Sequence, residues 1–383
     1  MKNGDNMEKY KESKVLKGCN AAIWICFAIC LFFYLYTRGE HNSLYQFKMS
    51  HYPDMSIIYF VLHYGNGRIL GNLMGVLLLK NPYVFILIKT VLAMGIIYLA
   101  TNLFGIKRYY AIAFTLMNVV MLPREFFDVY IYSSSFINYM IPLFFQLILI
   151  RCVIKNRENN AVVFLLALCS AFWIEHIALV NILIPIVYLV LHCYTNKRKV
   201  ENADWGLVTW FLGAAIGFAV EVLIPLCIGG NKLARTHMGV ALNVDGIDLI
   251  IDNIFEMCLA VFPVTMLFTL MLAVLYARNI QSEDGFALKN AVMVILIVMS
   301  CVPVVRLVFG TSVVLSYCKT CKSNEDKMIG IILYIISFIA MAVFIFAECN
   351  GPRCLFYSNF VYNILLIKFI EKLNLKGISL NRV

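Results

Sequence analysis

The most restrictive feature of the chain is its series of apolar runs, of which Tyr83 to Gly105 and Ile329 to Ala347 are long enough to cross a bilayer as helices. In hydrocarbon every backbone N–H and C=O needs a partner within the protein, which leaves only helices and closed barrels. Barrel strands alternate apolar and polar residues in short segments, and these runs do not. The expected fold class is therefore all-α: a polytopic integral membrane protein.

Composition agrees. Hydrophobic residues make up 62% of the chain and charged residues 14%, against about 45–50% and about 25% in soluble domains. Such a chain cannot cover itself with polar side chains, so lipid is its expected solvent and the bilayer its first partner. The net charge of +10 is not a nucleic-acid signature, because the charges lie between hydrophobic runs with no basic cluster interleaved with aromatics. Most of the thirteen cysteines, such as Cys26, Cys30, Cys169, Cys227, Cys258 and Cys301, fall inside apolar runs, where cysteine acts as a small hydrophobe. The one CxxC, Cys318 and Cys321, lacks a second pair, so no zinc site or other metal is expected. Cys349 and Cys354 are read as unpaired, and no cofactor is expected. No small-residue cleavage site follows the Asn20–Tyr36 helix, so the N-terminus does not read as a cleaved signal.

Charge sets the expected orientation. Lys2, Lys9, Lys11, Lys14 and Lys17 place residues 1–19 in the cytoplasm by the positive-inside rule. Basic short loops at 151–160, 195–204, 278–290 and 318–327, and the tail 371–383, join them there. The transmembrane domain spans 20–370, with extracytoplasmic loops at 38–68, 123–138 and 229–248. Helices near 161–174 and 177–194 form a hairpin whose tip is Glu175-His176. Three apolar segments near 57–79, 83–104 and 109–122 give an odd number of crossings. The last is only about 21 Å long at 1.5 Å per residue, and is expected to dip in without crossing. About eleven spanning helices result. No internal repeat marks an inverted-repeat transporter.

Under this topology the inside holds 21 of the 32 Lys+Arg, five of them arginine. The outside holds eight, and six are arginine: Arg38, Arg68, Arg124, Arg235, Arg306 and Arg353, beside Lys48 and Lys232. Lys89, Lys107 and Arg108 have no assigned side. Anchoring needs only positive charge, whereas arginine adds a planar fork that grips phosphate or carboxylate through two hydrogen bonds. The outer arginines read either as an anion site or as local partners of acids and headgroups. Glu221 and Glu256 fall within spans, where an ionisable group is by default functional or paired.

Several outer motifs occur in an order that resembles a known family. They are His63-Tyr64-Gly65-Asn66-Gly67-Arg68 and Tyr132-Ser133-Ser134-Ser135-Phe136-Ile137-Asn138-Tyr139 with Pro142. Glu175-His176, Gly230-Asn231 with Arg235, and Pro303 with Arg306 follow. Together they resemble the DUF6056-like bacterial membrane proteins, over roughly residues 20 to 320. That family is similar in layout to the GT-C glycosyltransferases, and the resemblance implies a GT-C-like arrangement. It also implies transfer of a sugar from a polyprenyl-phosphate donor to a glycan or other surface acceptor outside the membrane. The catalytic acid of such enzymes sits in the first outer loop, usually in an acidic pair. Here Glu40-His41 stands in that place, with Asp54 as the other nearby carboxylate.

On that resemblance Glu40, then Asp54, is the base that deprotonates the acceptor hydroxyl. Arg68, Arg235 and Arg306 would stabilise the leaving phosphate. Asn66, Asn138, Tyr139, Glu175, His176 and Asn231 would bind the substrate. Each has an ordinary reading as well: Asn66-Gly67 as a turn, Tyr139 and Trp173 as an interfacial aromatic belt, Pro303 as a kink, His176 as a hydrogen-bonded interface residue. A transporter or flippase for a lipid-linked or anionic solute is the second class, resting on Glu221 and Glu256.

Overall fold

In a computed structural model, residues 14–38, 69–78, 81–120, 127–155, 159–196, 202–228, 251–252, 314–315, 317–321, 323–342 and 352–380 are described. Among them there is no strand. The chain is all-helical, as the apolar runs require. The helices are α1 (Lys14–Arg38), α2 (Ile69–Leu78), α3 (Pro82–Leu103), α4 (Arg108–Val120), α5 (Ser133–Lys155), α6 (Asn160–Ala171), α7 (Glu175–Asn196), α8 (Asn202–Ile228), α9 (Asn324–Ala342) and α10 (Pro352–Leu380). A π-helical turn, Phe127–Ile131, precedes α5. Pro82–Leu103 and Ser133–Val153 are long and apolar enough to cross a membrane.

Local sequence sets the helix ends. Asn81 caps α3, its side chain accepting from the Val84 amide at 3.3 Å, and Pro82 at the first position loses no hydrogen bond. At the other end Gly105 takes φ +63°. This lets the Ile106 amide reach the Thr101 carbonyl at 2.8 Å and the Gly105 amide reach Asn102 at 3.3 Å, a Schellman closure that favours glycine. Inside the helices, Thr90, Thr101, Thr115 and Asn118 donate to the carbonyl four residues back. Polar side chains in apolar helices thus find partners within their own helix.

α10 is the centre of the described bundle. From Leu355 to Ile367 every residue is buried, as a helix apolar on all sides requires. Phe360 packs edge-on against Phe114 of α4, and Phe356 against Tyr130 of the π-turn. α8 lies against α6 at very close range. A Cβ on Gly213 would come 2.6 Å from the Phe164 carbonyl oxygen, and one on Gly217 2.9 Å from that of Leu168. Lipid-like surroundings suit the outer surface. Ile25, Phe33, Leu87, Val91, Leu165, Val190, Leu212 and Ile216 are all exposed.

Contacts fix the direction of each helix. Tyr36 near the end of α1 stacks on Tyr83 at the start of α3, so both lie at one end of the bundle. At the opposite end the Lys368 ammonium donates to the Phe104 carbonyl at 2.5 Å, and Lys107 lies 3.9 Å from Glu371. The chain then returns: the Ile131 carbonyl accepts from Lys89 of α3, and Tyr130 meets Phe356, about 18 Å up α10 from Lys368 at 1.5 Å per residue. The stretch containing α4 therefore carries the chain back along the bundle, from the level of Lys368 to that of Phe356. The short element is α2, about 15 Å. Lys107 and Arg108 lie at the α10 C-terminal end of the bundle.

Two expectations change. Residues 127–138, expected in an outer loop, form the π-turn and the first turns of α5, and those from Val129 inward are mostly buried. The tail from 371 continues α10 as far as Leu380. The hairpin of helices around 172–174 stands as expected.

At the Lys368 end, Asp326 at the start of α9 accepts from Lys372 of α10 at 2.5 Å. Burial alone would raise the Asp326 carboxyl, but the hydrogen bond and charge of Lys372 outweigh it and hold the group below its ordinary value. Burial similarly lowers Lys368 and raises Glu371, while Asp326 keeps Lys372 above its usual range. A carboxyl depressed in the folded state stabilises the fold above its unfolded value, about pH 4, and that stability disappears as pH falls through the folded value. Asp326→Asn should therefore cost under about 1 kcal/mol at pH 7, with the difference from wild type shrinking as pH falls below about 4, as read by thermal unfolding. Gly213→Ala should separate α6 from α8 and cost about 1–3 kcal/mol. Gly206→Ala, whose nearest neighbour is Val153 at 3.9 Å, should be close to neutral in the same assay.

Candidate functional site

The clearest chemical anomaly is Lys89, a lysine inside the apolar run of α3 and itself buried. Its ammonium donates to the Ile131 carbonyl at 2.8 Å and to Ser133 Oγ at 3.5 Å. It also sits 4.8 Å from the centre of the Phe85 ring and 5.6 Å from that of Phe136, a cation–π cage. The Ile131 carbonyl faces it because the chain there winds as a π-turn, which widens the helix and shifts its carbonyls. Such turns recur at functional sites.

The motif Tyr132–Tyr139 opens α5 directly after this turn. Ser133, Ser135 and Asn138 are buried polar residues. Asn138 donates its amide to the Ser134 carbonyl at 2.8 Å, while its Oδ1, also buried, meets no hydrogen-bond donor among the described residues. Tyr139 and Trp173 are 4% and 2% exposed, so neither belongs to an aromatic belt facing lipid. The exposed aromatics at helix ends are Tyr36, Tyr83, Tyr98 and Trp205.

Deeper in the bundle a second polar cluster runs across four helices. Tyr357 of α10 donates to Gln146 Oε1. Gln146 Nε2 donates to Asn181 Oδ1 at 2.8 Å, and Asn181 to the Ser170 carbonyl at 3.2 Å. Gln146 and Tyr357 line an apolar cavity of about 240 Å³, together with Ile150, Tyr188, Trp210 and Leu333. The indole N–H of Trp210 is buried and meets no acceptor among the described residues.

Of the residues singled out in the sequence, Asn138 and Tyr139 lie in the first turns of α5, the helix whose first residue, Ser133, contacts Lys89. Glu175 and His176 form the first turn of α7. Glu40, Asp54, Asn66, Arg68, Asn231, Arg235 and Arg306 lie outside the described residues, as does Glu256. Glu221 is buried within α8. Sequence reasoning passed over Lys89, Gln146, Asn181 and Tyr357. The signal for Lys89 was present, as an ionisable residue in a spanning run. Gln146 and Asn181 were legible in the same way, as isolated amides in apolar helices. Among the described residues no cluster of three or more His, Cys, Asp or Glu is placed to hold a metal. Compared with known family models, curated proteins and solved structures, the chain matches none.

The relay makes Gln146 a shared partner. Gln146→Leu would leave the Tyr357 hydroxyl and the Asn181 side chain each short of a hydrogen bond, at a cost of about 1–3 kcal/mol, measurable as a lowered midpoint in thermal unfolding of the detergent-solubilised protein.

Proposed function

We propose that the chain is a polytopic membrane protein of about eleven spanning helices, arranged as in the GT-C enzymes. On this reading it transfers a sugar from a polyprenyl-phosphate carrier to a surface acceptor on the extracytoplasmic side. The observation that carries the reading is the buried Lys89 cation. It sits at the head of the Ser133–Tyr139 motif that the family resemblance assigns to substrate, with an open acceptor on Asn138 nearby in the motif. A buried lysine ammonium favours an anionic group such as a lipid phosphate. An amide oxygen lacking a donor favours a hydroxyl-rich ligand.

The charge distribution supports a cytoplasmic N-terminus. Helix directions place Lys14, Lys17, Lys107, Arg108, Arg151, Lys155, Lys319, Lys327, Lys368 and Lys372 toward one end, and Arg38 and Arg353 toward the other. That segregation follows the positive-inside rule. On this reading the Lys89 end faces the extracytoplasmic side, where lipid-linked sugars are used. In the proposed chemistry Glu40 removes the proton of the acceptor hydroxyl. The oxygen then bonds to the anomeric carbon while the bond to the carrier phosphate breaks, and Arg68, Arg235 and Arg306 receive the released charge.

A transport reading is favoured by one observation, the burial of Glu221 within α8. The two readings separate in proteoliposomes loaded with a polyprenyl-phosphate sugar. Glu40→Gln should lower transfer about 10²–10⁴-fold with insertion intact, and Arg68→Lys should also impair it although charge is retained. Full activity in Glu40→Gln removes Glu40 as the base. A larger loss of solute movement in Glu221→Gln than in Glu40→Gln selects transport.

A further inference from the structure

The cavity beside the Gln146 relay lies in the half of the bundle away from Lys89. Its wall is built from α5, α7, α8, α9 and α10, with Phe104 at the end of α3. Trp210 stands about 12 Å along α8 from Asn202, and Ile329 about 8 Å along α9 from Asn324, at 1.5 Å per residue. The cavity is therefore within the apolar body and not at its charged rim. Packed interiors leave few spaces larger than a water molecule, because lining atoms without a neighbour forfeit their dispersion contacts. A space of about 240 Å³ between five helices departs from that rule. A bulkier apolar side chain at Val361, on the wall, would take up part of it, so the space is not forced by a shortage of hydrophobic residues.

The wall defines what fits. Among the described residues that form it there is no acidic or basic side chain, so a charged group would lose its hydration with nothing in exchange. A sugar would fare no better. The Tyr357 hydroxyl donates to Gln146, and Gln146 donates on to Asn181, which leaves too few partners for a ring of hydroxyls. One donor stands over. Trp210 forms part of the wall, and its buried indole N–H meets no acceptor among the described residues. A buried indole N–H normally finds a partner. Water suits this wall poorly, since it needs several polar partners and apolar cavities stay dry. The volume falls just below the roughly 300–1,000 Å³ of drug-sized pockets, too small for a whole membrane lipid. We propose that the cavity binds a small, uncharged, mainly hydrocarbon molecule of the aliphatic ketone or ester class. Its carbonyl oxygen accepts from Trp210 Nε1, and its hydrocarbon part packs against Ile150, Leu333 and Val361. The site lies apart from Lys89 and the proposed sugar-transfer residues and does not depend on that reading.

The test uses the full chain in phosphatidylcholine nanodiscs, with the indole nitrogens of its four tryptophans isotope-labelled for NMR. The Trp210 signal is assigned by its loss in Trp210→Phe. Cyclohexanone is the probe, and cyclohexane, the same ring without an acceptor, is its competitor. In wild type cyclohexanone should move the Trp210 indole proton downfield to a plateau while Trp24, Trp173 and Trp205 stay in place. Cyclohexane should reverse that shift by displacement. Val361→Phe, which fills part of the cavity, should lose the response. A Trp210 signal that stays still at the highest ketone concentration would overturn the site in wild type itself, whatever the variants do. Equal movement of all four indoles without a plateau, the mark of partition into the bilayer, would overturn it as well. A Trp210 proton that exchanges with water and ignores the ketone would do the same, leaving a hydrated cavity only.

Discussion

The described bundle depends on one constraint: α10 is buried on all sides from Leu355 to Ile367, so nothing on it can rely on solvent. Its apolar side chains pack against α4, α5, α9 and the π-turn. Its polar ones must be answered by name. Tyr357 is answered by Gln146, and Asn363 by Asn118 at 3.0 Å. Each of these pairs joins helices far apart in sequence, and each fixes both rotation and depth, because an unmatched buried amide costs far more than a matched one contributes. Hydrophobic packing alone tolerates sliding of one helix along another. These hydrogen bonds do not.

The same logic explains why charge collects where it does. Lys368, Glu371 and Lys372 come from the C-terminal half of α10, and their partners Phe104, Lys107 and Asp326 come from two separate stretches of chain. Ion pairs of this exposure contribute little to stability. Their value lies in geometry: they bring the α3–α4 turn and the start of α9 to one level of the bundle. Lys89 is the exception. It sits within the apolar body, held by a carbonyl, a hydroxyl and two aromatic faces. Burying a cation is expensive, and no packing requirement of α3 explains its presence, since a leucine at that position would fill the same run.

How much of this was legible in the sequence differs by level. The helical class was, because the runs from Tyr83 and Ile329 leave the backbone no other way to satisfy itself. The hairpin was, although its tip lies at 172–174 and Glu175-His176, expected there, open the second helix. The path from 57 to 122 was not. Parity arguments treat every apolar segment as equivalent, whereas Tyr36 against Tyr83 and Lys368 against Phe104 are tertiary contacts that no local pattern encodes. Residues 127–138 were misplaced for a related reason. Arg124, Glu125, Asp128 and three serines read as a loop by composition, but Val129, Tyr130, Ile131 and Phe136 supply enough apolar surface to bury the segment. Of the candidate site, the Asn138-Tyr139 motif was visible and its companion Lys89 was not connected to it, since 44 residues separate Lys89 from Ser133.

That pairing bears on what the Lys89 end is built to do. A purely structural lysine in an apolar helix reaches toward water along its four-carbon stem. Lys89 lies about 10 Å along α3 from its start at Pro82, at 1.5 Å per residue, and turns into the bundle toward the π-turn instead. The π-turn in turn aims its last carbonyl at the ammonium and launches α5 with Ser133, Ser135 and Asn138 on buried positions. A helix that continued from 127 without the widened turn would place those carbonyls and serines at different angles. The cation, the turn and the polar motif therefore constrain one another. Their joint product is a buried cation set against a polar helix start within a mostly apolar wall.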